Sequence, residues 1–95
     1  MKFAFLIMGD IFHSEIDQAM IHGGVARIIG VPSLDAACRE AVRLKQEGID
    51  CIELCGAFGP EGAMRIVEAV ENTIPVGYAV HLPIQDEIYR KVFGE

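Results

Sequence analysis

From residue 26 onward, short apolar runs and amphipathic helical patterns take turns along the chain with only a few residues between them. Ala26 to Val31 reads as a strand, which Pro32 breaks before Ser33 offers a helix N-cap. Leu34, Ala37, Cys38, Ala41, Val42 and Leu44 then recur at helical spacing. Arg39, Glu40, Arg43 and Glu47 take other faces, and Gly48 stands where a left-handed glycine ends a helix. Residues 49–55 read as the next strand. Pro60 suits a helix N1 position, and Ala63, Ile66, Val67 and Val70 form an apolar stripe that ends near Asn72. Residues 75–80 read as a further strand. Pro83 then opens a last helix in which Ile84, Ile88 and Val92 share a face. Asp86 and Glu87 fall in its first turn and Arg90 and Lys91 in its last, as the helix dipole favours.

Strands joined through helices by short connections pair in parallel, so the expected fold class is α/β. Phe3 to Met8 adds a buried strand, since this run of six residues is shorter than a signal-peptide core of about 7 to 15 residues. Residues 10–25 hold no regular period. Gly23-Gly24 can supply the positive φ angles of a hairpin turn, which allows an extra antiparallel strand over residues 19–22. The expectation is one α/β domain over residues 1–95, with a mainly parallel sheet of about four strands plus this hairpin strand.

Composition bounds the partners. Of 95 residues, 52% are apolar, and a chain this short buries only somewhat more than about 60% of its unfolded surface, so a homo-oligomer is expected. The net charge of −6 opposes binding to nucleic acid or to anionic membrane surfaces. No stretch approaches the roughly 18 to 20 apolar residues of a membrane span. Cys51 and Cys55, if on one strand, have Cα atoms roughly 13 Å apart, too far for a disulfide. Reduced thiols and a cytoplasmic location are expected.

In parallel α/β sheets ligands bind at the carboxyl ends of the strands. That edge gathers Asp10, Glu53 to Gly56, and His81, and His13 and His22 are close enough in sequence to fold over it. Strand alternation places Ile49, Cys51, Glu53 and Cys55 on one face. Glu53 leads as a functional group, because a carboxylate inside a covered strand needs a partner or a polar cavity. Its structural alternative is an ion pair with Arg27, a backbone donor, or a wet oligomer interface. Gly56, Gly59 and Gly62 follow a strand and open a helix, the setting of a phosphate-cradling loop. Against that, Pro60 lacks an N–H and Glu61 puts a carboxylate at the helix start, which suits a tight turn before a capped helix.

Cys55 near a helix N-terminus, with His81 as its base, forms a candidate thiol pair, although cysteine is commonly a buried apolar residue. His13, His22 and His81 with Asp10 or Glu53 offer a nitrogen and oxygen donor set for zinc or iron, but no local His or Cys pair has metal-ligand spacing. The candidate catalytic residues are therefore Glu53, Cys55 and His81. The candidate ligand-binding residues are Asp10, His13, His22, Gly56 and Gly59, with no metal assigned and no cofactor identified.

The opening Lys2-Phe3-Ala4-Phe5, the run Ile28-Ile29-Gly30-Val31, the block from Glu47 to Gly62 and Pro75-Val76-Gly77-Tyr78 together resemble a family of small prokaryotic proteins known only as a domain of unknown function. The resemblance spans nearly the whole chain and implies no activity. Ile52-Glu53-Leu54 followed by a glycine loop also looks like a strand of some (β/α)-barrel enzymes, at the level of fold alone.

Two functions are compatible with these residues. One is an oligomeric protein that binds or converts a small polar metabolite at the strand carboxyl edge. The other is a structural or interaction subunit that assembles through its apolar surface, with Tyr89, Val92 and Phe93 as natural contacts.

Overall fold

A computed structural model describes residues 1–94 of the chain. Its centre is a five-stranded sheet ordered β2-β3-β1-β4-β5, in which β1 is Phe3–Met8, β2 Gln18–Ile21, β3 Ala26–Val31, β4 Cys51–Leu54 and β5 Val76–Tyr78. β3, β1, β4 and β5 run parallel, and β2 pairs antiparallel with the edge of β3. The expected α/β domain and its hairpin strand are both present. The strand lies at residues 18–21, and the turn that follows is a 3-10 turn at His22–Gly24.

Two helices cover the sheet. α1 (Leu34–Gln46) starts where the Ser33 Oγ accepts the Ala36 N–H at 3.1 Å, and stops at Gly48, whose φ of 92° lets the Ile49 N–H reach back to the Leu44 carbonyl at 3.0 Å. α2 (Gly59–Ala69) begins with Pro60 in its first turn. Its end lacks a glycine, and Glu71 and Asn72 take the left-handed conformation in its place. Ala37, Ala41 and Leu44 from α1, Ala63 and Ile66 from α2, and Val70 at the C-cap of α2 meet Ala4, Leu6, Ile29, Val31, Ile52 and Leu54 in one core. These strand residues alternate in sequence, so all belong to one face of the sheet.

The other face carries no helix among the described residues. Phe3, Ile28 and Glu53 on it are exposed, and Phe5, Ile7 and Cys51 are half-buried. This departs from the expectation that helices cover both faces of β4, and it removes the desolvation cost expected for Glu53. The last helix, α3 (Asp86–Phe93), follows a 3-10 turn at Pro83–Gln85 and buries no residue of its own. Among the described residues, no helix is long and apolar enough to cross a membrane.

Candidate functional site

The carboxyl ends of β4 and β5 border a cleft of about 820 Å³. Its first wall is the turn after β4. Cys55 extends that strand by donating its N–H to the Leu6 carbonyl at 3.0 Å, and its Sγ accepts the Met8 N–H at 3.4 Å. The chain then winds through a 3-10 turn at Gly56–Phe58, with Phe58 buried beneath it. Gly59 reaches α2 with φ 64° and ψ −179°, a backbone conformation essentially confined to glycine.

The second wall is the segment after β5. Ala79 pairs with the sheet through its N–H to the Leu54 carbonyl at 2.9 Å, and the chain then leaves the sheet. Pro83 turns it into α3, whose first turn brings Asp86 back to His81. The His81 Nε2 and the Asp86 Oδ1 lie 2.7 Å apart. The His81 ring stacks on Tyr89 with centroids 3.8 Å apart, and Tyr89 in turn stacks on Phe93 at 5.4 Å. Tyr78 and Arg90 complete the lining. The carboxylate orients the imidazole, so this wall holds one group suited to proton transfer beside one fixed cation.

The candidates from the sequence separate into several places. Cys55, Gly56, Gly59 and His81 all line this cleft. Asp10 and His13 line a second, more polar groove of about 850 Å³ beside α1, together with Arg27, Arg39, Glu40 and Arg43. There the His13 N–H donates to the Asp17 Oδ2 at 2.7 Å. His22, with φ 54°, sits in the β2–β3 turn, which lies at the amino-terminal end of β3 and so at the opposite rim of the sheet. Glu53 lines neither cavity. Its carboxylate rests on the bare face over Gly77, where a β-carbon on residue 77 would fall 2.8 Å from Oε1. Arg27 pairs instead with Glu47 at 2.7 Å. Among the described residues no three His, Cys, Asp or Glu side chains gather as a metal site.

Tyr78, Asp86 and Arg90 belong to the cleft but escape a reading of motifs. The available signal is local. A histidine at a strand end, a proline two residues later and an acidic helix start five residues on must fold back on one another.

No curated protein and no solved structure matches the chain. Residues 1–94 match the model of DUF6506, a family of unknown function, and the chain belongs to that family.

Proposed function

We propose that this protein binds, or converts, a small polar metabolite in the cleft at the carboxyl ends of β4 and β5, and that it does so as a cytoplasmic homo-oligomer. The observation that carries the reading is the His81–Asp86 pair at 2.7 Å, set beside Arg90 and the stacked ring of Tyr89 in a cavity of about 820 Å³. In this reading Arg90 anchors an anionic group of the ligand, Tyr78 and Tyr89 pack against its body, and His81 exchanges a proton with it. The first N–H groups of the Gly56–Phe58 turn have no partner within the turn and serve as further donors. Cys55 forms part of the wall. Glu53 has no role in the cleft. Half-buried, unbridged Cys38, Cys51 and Cys55 agree with a reducing compartment.

The test is a thermal-shift screen of small carboxylates and phosphates against the parent, His81→Ala, Arg90→Ala and Glu53→Gln. A compound that raises Tm of the parent and of Glu53→Gln, but of neither cleft variant, supports the assignment. Equal shifts in all four proteins remove it.

The bare sheet face favours a second reading, a non-enzymatic interaction subunit. A screen without any stabilising compound, together with a stable oligomer by light scattering, selects that reading.

A further inference from the structure

Parallel strands are normally buried on both faces, because the crossover helices that join them need a sheet to pack against. In this chain α1 and α2 use one face only. The register lays the other face out in rows. Ile21, Ala26, Phe3 and Cys51 form one row, and Ala19, Ile28, Phe5, Glu53 and Gly77 the next, with Ile7 opposite Gly30 beyond them. This surface is apolar, with the carboxylate of Glu53 as its only charge among the described strand residues. Glu53 makes no ion pair among those residues.

The chain also carries a helix with the complementary defect. Ile84, Ile88 and Val92 share one face of the α3 segment and are 83%, 54% and 70% exposed. Lys91 flanks this stripe by helical spacing and has no acidic partner among the described residues. The opposite side of α3 is already engaged, since Asp86 and Tyr89 are held by His81 at the cleft. This clamp keeps the outer stripe turned away from the sheet of its own chain.

We infer that the stripe docks on a second copy of the chain. In a two-fold dimer, α3 of each protomer lies across the bare sheet face of the other. Ile88 and Val92 pack on Phe3, Phe5 and Ile28, and Lys91 approaches Glu53. The arrangement is isologous, so each chain gives one helix and receives one. With its leading 3-10 turn, α3 presents a strip about 18 Å long and 10 Å wide, and counting both faces of both contacts the dimer buries roughly 700 Å². That lies below the range of about 1,200 to 2,000 Å² of stable protein interfaces, so the dimer is a weak one that forms at high protein concentration. The pairing of Lys91 with Glu53 matters because each protomer carries a net charge of −6, which otherwise opposes self-association. The inference deepens the homo-oligomer proposed above and is independent of the cleft's ligand.

The test is multi-angle light scattering of the full chain over a dilution series that reaches millimolar concentration, with circular dichroism as the check on folding. The parent is expected to approach twice 10.4 kDa at the highest concentration. Ile88→Asp and Val92→Asp, at positions not buried within the protomer, are expected to keep its spectrum and weaken the dimer at least about thirtyfold. Ile28→Asp does the same from the receiving side. Glu53→Lys is expected to weaken the dimer about three- to tenfold, and adding Lys91→Glu to restore it. A monomeric parent overturns both the oligomer and its interface, and is also the result if α3 folds onto its own sheet or another partner covers the face. A dimer that survives Ile88→Asp and Val92→Asp, or a charge swap that fails to rescue, overturns this interface and leaves the oligomer standing.

Discussion

The carboxylate of Glu53 lies across Gly77 on the open face of the sheet, and the absence of a side chain at residue 77 leaves it room. Its charge acts along β4 on Cys51, two residues earlier on the same face. The Cys51 thiol is pushed above the ordinary cysteine range, first by burial and then by Glu53 and Asp50. All three effects disfavour the thiolate, which is the reactive form.

Glu53→Gln is therefore expected to lower the Cys51 pKa and to speed its alkylation about two- to fivefold at mildly alkaline pH. Peptide mass spectrometry would read the rate in the Ile88→Asp background, which keeps the face open, with Cys38 as the internal control. An unchanged rate at Cys51 would mean that the two side chains do not communicate.

A second close approach involves an aromatic ring. A β-carbon on Gly30 would fall 2.7 Å from Cγ of Phe12 and 3.1 Å from its Cβ, the stiff base of that side chain. Gly30→Ala must displace the whole ring and is expected to cost about 1 to 3 kcal/mol in urea unfolding. In the Phe12→Ala background most of that penalty should vanish, because the obstruction has gone. Additive costs in the double variant would rule out the contact as the cause.

Local chemistry made much of the fold legible. Ser33 and Gly48 bracket α1 because capping and a left-handed stop are short-range effects, and Gly23-Gly24 mark the β2–β3 turn for the same reason. Alternation along β4 correctly separates Ile52 and Leu54 from Cys51 and Glu53. It does not tell whether a helix will arrive on the second face. That depends on where α3 docks, and a loop of a few residues and the His81–Asp86 contact decide it. Glu53 consequently reads in sequence as a carboxylate in need of a partner, whereas in the fold it faces outward. Cys55, Gly56, Gly59 and His81 share a rim, as the parallel topology implies. Asp86 and Arg90 read as residues placed for the α3 dipole, because the return of that helix to the strand end is a tertiary event.

Acid should weaken the fold through Glu47. Hydrogen bonding from Arg27, with a further contribution from Arg43, holds its carboxyl below the ordinary glutamate range. A depressed folded-state pKa contributes stability that is complete above the unfolded value and is lost as the pH falls through the folded one. Glu47 is 44% exposed, so screening limits the effect to less than about 1 kcal/mol. Glu47→Gln is expected to lower Tm slightly at neutral pH and to flatten its decline below the glutamate range. Parallel curves for parent and variant would exclude Glu47 as a source of the acid sensitivity.

The neighbouring pair behaves differently because one partner is buried. Glu40 is only 9% exposed, and its two oxygens receive the Arg43 Nε and Nη2 donors in a bidentate contact within α1. Arg43 itself remains partly in water, and the Glu40 carboxylate raises its pKa further. Arg43→Met keeps the length and helix propensity of the side chain but leaves a buried carboxylate without its counter-charge, which costs several kcal/mol when burial is complete. Here water can reach the vacated side, so about 1 to 3 kcal/mol is expected, well above the loss from a surface pair. Adding Glu40→Gln to Arg43→Met should recover part of that loss, since the neutral amide is cheaper to bury than the orphaned charge. Urea unfolding of the parent, the single variants and the double variant measures this coupling. A double variant less stable than Arg43→Met alone would show that the carboxylate is well solvated without its arginine.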